Sequence, residues 1–122
     1  MNKLLTPLEQ KVMNVLWKLE KAFVNDILED WTEEPKPAYN TISTTIRILE
    51  EKGFIAHKAF GRTHRYFPVI SQPDYQKNLV TNIIQNAFSG SLSSLVSAIV
   101  DNEQISDAEI TAIQELINKS RQ

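Results

Sequence analysis

Between Ala38 and Gly53 the chain reads AYNTISTTIRILEEKG, and Ile42, Ile46 and Leu49 recur at the i, i+4, i+7 spacing of a helix stripe that packs on a core. At about 100° per residue, Asn40, Thr44, Arg47 and Glu51 fall on the opposite side, with Thr41 and Ser43 on the flanks. A polar face on a short helix is usually only a solvated surface. Here the face carries Asn, Thr and Arg in a segment rich in β-branched residues, where a merely solvated helix would use Glu, Lys and Ala. Asn and Arg can bond purine edges in pairs, and Ser and Thr can hold phosphates, so this segment has the composition of a groove-reading helix.

The same patterning organises the rest of the chain. Thr6-Pro7-Leu8-Glu9 is a capping box with proline at the first helical position, so a helix should start at Pro7 and bury Leu8, Val12, Val15, Leu16 and Leu19, with Trp17 beside them. A second helix is expected from about Val24 to Trp31, burying Ile27, Leu28 and Trp31, followed by a loop at Thr32-Glu33-Glu34-Pro35-Lys36-Pro37. Gly53 is placed to end the reading helix in a left-handed conformation. Phe54 to Phe60 and His64 to Val69, separated by Gly61-Arg62-Thr63, read as a β-hairpin. Three helices and a hairpin in this order are the winged helix-turn-helix arrangement, whose second paired helix enters the groove while the hairpin reaches phosphate or minor groove.

From Ser71 the pattern is helical only. One helix would carry Leu79, Val80, Ile83, Ile84, Ala87 and Phe88, interrupted at Gly90. A second would carry Leu92, Leu95, Val96, Ile99 and Val100, and a third, capped by Ser106, would carry Ile110, Ile113, Leu116 and Ile117. So small a unit presents more apolar stripe than it can hide within itself. Either these helices fold back on the winged domain, or a partner covers them; a homodimer is the simplest partner, its two-fold axis placing two reading helices about 34 Å apart on DNA. The expected interface residues are Leu79, Ile83, Ile84, Phe88, Leu92, Leu95, Ile99, Ile113, Leu116 and Ile117. The fold class is therefore mainly α with a small β-hairpin wing, a winged helix-turn-helix domain over residues 1–70 and a helical dimerisation domain over 71–122.

Charge changes the picture. Over 122 residues the net charge is only −2 and the pI about 5.7, which argues against an indiscriminate nucleic-acid binder. From Lys36 to Arg65, however, six Lys or Arg face two acids, whereas from Ser71 onward three basic residues face six acidic ones. Positive charge gathers where the reading helix is. No apolar run reaches bilayer length and MNKLLTPLEQ lacks a signal-peptide core, so a cytoplasmic protein without membrane insertion is expected. With no cysteine there are no disulfides and no thiolate sites.

The segments LTPLEQKVMNVLW, YNTISTTIRILEEKGFI, GRTHRYFPVIS and AFSGSLSSLVSAIVDNEQISDAEITAIQELI, in this order and spacing, resemble the penicillinase and methicillin-resistance repressors of the BlaI/MecI type. The resemblance covers nearly the whole chain. It implies a dimeric winged-helix repressor that binds inverted-repeat operators on double-stranded DNA, often encoded beside a membrane metalloprotease sensor that ends repression by causing the repressor to be cut. Two departures stand out. Where family members controlling β-lactam resistance are cut at an Asn-Phe bond, this chain has Ala98-Ile99, and it lacks the C-terminal cysteines of the related copper-responsive repressors.

The candidate DNA face comprises Asn40, Thr41, Ser43, Thr44 and Arg47, which match the part of the reading helix that this family inserts into the major groove. Asn40 has a rival role as helix N-cap, and Arg47 a rival ion pair with Glu50 or Glu51. On the wing, Lys58 and Arg62 are expected to touch phosphates, with Thr63 a further DNA-binding candidate near the tip. His57 and His64 on opposing strands are a weak metal pair. No metal or other cofactor is expected, and no enzyme: there is no Gly-rich phosphate loop, no HExxH and no nucleophile paired with a base. The serines Ser89, Ser91, Ser93, Ser94 and Ser97 read as helix-boundary or surface residues. The alternative is a winged-helix protein-interaction module without sequence-specific DNA binding, which the fold permits.

Overall fold

A computed structural model of the chain describes residues 4–102 and 105–120. Residues 1–3, 103–104 and 121–122, which fall inside the two expected domains, lie outside the described residues. The described residues form α1 (Pro7–Leu19), α2 (Val24–Asp30), α3 (Tyr39–Glu51), β1 (Ile55–Phe60), β2 (Thr63–Pro68), α4 (Gln72–Ala87), α5 (Leu92–Val100) and α6 (Asp107–Ser120). They divide into two compact units, Met1–Leu79 and Val80–Gln122.

In the first unit α1 starts at Pro7, where the Thr6 hydroxyl accepts from the Glu9 backbone N–H and the Glu9 carboxylate accepts from that of Thr6. Its inner face buries Val12, Met13 and Leu16 against Ile27 of α2 and Ile42, Ile46 and Leu49 of α3. Met13 was not in the expected stripe; α2, α3 and β2 pack on α1 over a wider arc than one narrow row of positions. The reading helix runs from Tyr39 with Ala38 as its N-cap, so Asn40 stands inside the first turn and its expected rival role as cap is corrected. Its end is a Schellman motif: Phe54 N–H donates to Leu49 C=O, Gly53 N–H to Glu50 C=O, and Gly53 takes φ +87°.

The hairpin pairs Ile55 with Pro68 through Phe60 with Thr63, so its loop is two residues, Gly61 and Arg62, rather than the three expected. Gly61 at φ +65° supplies the positive φ that such a loop needs, and the Thr63 hydroxyl donates to Phe60 C=O 2.9 Å away, fixing Thr63 within the strand. Ala22 and Tyr66 exchange both backbone hydrogen bonds, at 2.9 and 2.8 Å, which locks the hairpin to the turn between α1 and α2.

The first unit reaches past residue 70 because the first turns of α4 pack on it. Tyr75 is buried, its ring 5.5 Å from that of Trp17 and 5.9 Å from that of Phe54, and its hydroxyl donates to Gln10 Oε1. Trp17 Nε1 donates to Ile70 C=O at 2.9 Å, and Leu79 packs against the same core, where a dimer contact had been expected.

In the second unit, Ser91 and Ser106 cap α5 and α6 by accepting from the Ser94 and Glu109 backbone N–H groups. Helix α5, LSSLVSAIV, buries none of its residues. Leu92 is 58% exposed and Leu116 67%, and Val80, Ile83 and Val100 are exposed as well. Among the described residues, no single helix is long and apolar enough to cross a membrane.

Candidate nucleic-acid interface

Helix α3 turns one stripe inward and presents two outward. Asn40, Thr41, Thr44, Arg47 and Glu51 are exposed. Tyr39, Ser43, Arg47 and Glu50, at helical spacing, line a cleft of about 600 Å³ between α3 and the hairpin. Arg47 belongs to both stripes. It makes no ion pair among the described residues, and Glu50 is bonded elsewhere, so the expected rival pairing with Glu50 or Glu51 is absent there. Thr45, on the inner side, satisfies its hydroxyl by donating to the Thr41 backbone C=O at 2.8 Å.

Side chains alternate along the hairpin. Arg62 lines the cleft from the turn, Thr63 from the first position of β2, and His57, His64 and Tyr66 from further along the strands. Lys58 and Arg65, paired directly across the strands, stand with Phe60 on the alternate set of positions, the Arg65 guanidinium carbon 4.7 Å and Lys58 Nζ 5.5 Å from the centre of the Phe60 ring. The cleft thus brings together Ser43, Arg47, Arg62 and Thr63; Asn40, Thr41 and Thr44 lie along the neighbouring exposed stripe, and Lys58 lies outside the cleft lining.

Sequence reasoning missed the wall that Phe23, Val24, Asn25 and Asp26 supply at the start of α2, and with it Tyr39, Glu50 and Tyr66. Tyr39 is 50% exposed at the first position of α3, a place where an aromatic has little packing to gain. That placement beside Asn40 was the signal available. Asp26 accepts from the Phe23 backbone N–H at 2.9 Å and so holds the start of α2. Burial pushes the Tyr66 phenol above its ordinary value, with Glu50 adding to that shift and Arg47 opposing it.

His57 and His64 do approach one another. Their rings are parallel within 7° and 4.1 Å apart, and His57 Nδ1 lies 2.6 Å from Glu50 Oε2. Parallel rings direct their in-plane lone pairs side by side rather than at a common point. Among the described residues, no group of three or more His, Cys, Asp or Glu is placed to hold a metal.

Comparison with known proteins places this geometry. The family model described as penicillinase repressor matches residues 5–119. The chain belongs to the penicillinase repressor family. Members are transcriptional repressors, not enzymes. The chain is 31% identical over 111 residues to the methicillin resistance regulatory protein MecI of Staphylococcus aureus (strain N315), covering 91% of this chain and 90% of that protein. It is 26% identical over 113 residues to the penicillinase repressor of Bacillus licheniformis, covering 93% and 88%. The solution structure of the DNA binding domain of the repressor BlaI superposes with a TM-score of 0.52 at 30% identity, covering 62% of this chain and 94% of that domain. The winged-helix fold of the first unit is therefore the fold of a penicillinase repressor's DNA-binding domain.

Proposed function

We propose that this penicillinase repressor family member binds inverted-repeat operators in double-stranded DNA as a homodimer and represses by occupancy, covering promoter DNA that polymerase needs. The observation that carries the reading is the outward face of α3, where Asn40, Thr41, Thr44 and Arg47, which makes no ion pair among the described residues, stand together beside the cleft that Ser43, Arg62 and Thr63 line. Asn40 and Arg47 would bond base edges, Thr41 and Thr44 would offer hydroxyls and methyls, and Ser43, Lys58, Arg62 and Thr63 would hold phosphates. A protein-interaction module would have no use for so polar and cationic a face, whereas its counterpart in DNA recognition needs both features.

The second unit supports the dimer. Ile83, Ile84, Phe88, Leu92, Leu95, Ile99, Ile113, Leu116 and Ile117 are all half-buried or exposed in a single chain, and a second copy would cover them. Family membership extends the reading to relief by a sensor-linked protease acting in the cytoplasm. The bond Ala98-Ile99, matching the family's cut position, lies inside α5, so cutting there requires that helix to open first. Fluorescence anisotropy with a duplex from the protein's own promoter region tests the DNA claim. Saturable binding that unrelated duplex cannot displace is expected; equal displacement by any sequence would return the interaction-module reading.

A further inference from the structure

Building on the DNA-binding reading above, we propose that the cleft between α3 and the hairpin seats a backbone phosphate of bound DNA, and that the stacked His57–His64 pair makes this seat proton-dependent, so that mild acid tightens DNA binding.

The cleft has room for a phosphate with its sugar, at about 600 Å³; Arg62 of the turn lines it as the phosphate-holding cation, and Arg47 of α3, whose fork is assigned to base edges, lines it as well and adds its positive charge. Two carboxylates also face it, Asp26 from α2 and Glu50 from α3, while the phenols of Tyr39 and Tyr66 add hydrogen-bonding capacity without charge. With both imidazoles neutral, the carboxylates balance the guanidiniums and the cleft has little net attraction for an anion. Each proton taken up by the histidine pair tips that balance toward positive charge.

The geometry says where the protons go. His57 Nδ1 is 2.6 Å from Glu50 Oε2, and since the carboxylate only accepts, Nδ1–H donates; a further proton on His57 enters at Nε2, makes that existing bond charge-assisted and offsets the Glu50 charge. His64 lies flat on His57 at 4.1 Å, where one cation over a neutral ring is favourable but two stacked cations repel. A phosphate entering the cleft supplies the missing counter-charge, so DNA binding and proton uptake reinforce one another. The chain has two histidines and no cysteine, so no other side-chain type ordinarily titrates between pH 6 and 8. A pH effect in that window that depends on these two residues belongs to the cleft.

The test is duplex affinity at pH 6.0 and 8.0 at fixed ionic strength, for the wild type and for the His57→Gln/His64→Gln double variant, with salt titrations at each pH. His64 is exposed and the His57 side chain is 33% exposed, neither belongs to the buried core, and glutamine can keep a hydrogen bond to Glu50, so the double variant should fold as the parent does. The wild type should bind about threefold to tenfold more tightly at pH 6.0, with a salt slope steeper by roughly one counter-ion, and the double variant should change by less than about twofold. Glu50→Gln should tighten binding at pH 8.0 by removing a negative charge from the seat. Coincident pH profiles for wild type and double variant, or a salt slope that ignores pH, would overturn this inference while leaving DNA binding intact. Absence of binding at both pH values would overturn the DNA-binding reading and this inference with it.

Discussion

Lys52 Nζ lies 2.9 and 3.0 Å from the two carboxylate oxygens of Glu9, tying the C-cap of the reading helix to the first turn of α1. Glu9 is only 4% exposed, and its carboxylate also accepts from the Thr6 backbone N–H at 2.8 Å. One carboxylate therefore caps α1 and anchors the C-terminal end of α3.

Replacing Glu9 by Gln should destabilise the protein by about 1–3 kcal/mol, since it leaves the half-buried Lys52 ammonium without its counter-charge. Thermal unfolding at pH 7 checks this, and an unchanged Tm would show the pair to be incidental.

The same pair has a pH signature. Burial, the largest influence on Glu9, raises its pKa, but the bonds from Thr6 and Lys52 outweigh it and hold the group below its ordinary value of 4.5. A folded pKa below the unfolded one stabilises above the unfolded value, and that contribution is lost as pH falls through the folded value. The stability gap between wild type and Glu9→Gln should therefore shrink on acidification below about pH 4.5, as followed by urea unfolding; a constant gap would contradict this.

Gly53 sits at φ +87° with nothing within 4 Å of where a Cβ would stand, so a side chain there meets backbone strain and no clash. Gly53→Ala should cost about 1 kcal/mol, by the left-handed penalty alone. A loss of several kcal/mol in denaturant unfolding would mean that the turn into β1 has additional demands.

Arg47 and Arg62 should separate by kind of effect. Arg47→Ala should weaken binding by about 1–3 kcal/mol and relax preference at one base pair, whereas Arg62→Ala should weaken binding to all sequences and lower the salt slope by about one. Competition with single-base operator variants, repeated at several salt concentrations, distinguishes them. Identical behaviour of the two variants would argue against a division between base reading and phosphate holding.

How far the sequence carried depends on how local each cause was. The start of α1 at Pro7, the buried stripe Ile42, Ile46 and Leu49, and the left-handed Gly53 follow from capping, periodicity and turn chemistry within a few residues, and each was legible. The end of the first unit was not, because Tyr75 finds Trp17 and Phe54 only after the chain has folded back, and no local pattern marks that tyrosine as core. The cleft was half legible. Arg47, Arg62 and Thr63, singled out from the sequence, line the cleft, but the bonding of Glu50 to His57 and the stacking of His64 depend on the hairpin register, set by a two-residue loop instead of three.

The apolar positions of α5 and α6 were also legible, and so was the shortage of cover for them in so small a unit; which of them stand most exposed among the described residues, Leu92 and Leu116, was visible only in three dimensions. Leu116→Asp should leave the isolated chain folded, since the residue is 67% exposed, yet weaken self-association by at least about tenfold through a charge buried in the interface. Size-exclusion elution that does not change with this substitution would move the interface elsewhere.

The most direct measurement is the mass of the protein–DNA complex by sedimentation velocity, using a duplex from the protein's promoter region that carries an inverted repeat. Two chains per duplex, from a protein already dimeric at micromolar concentration, is the predicted result; a free monomer that loads one chain per duplex would contradict it.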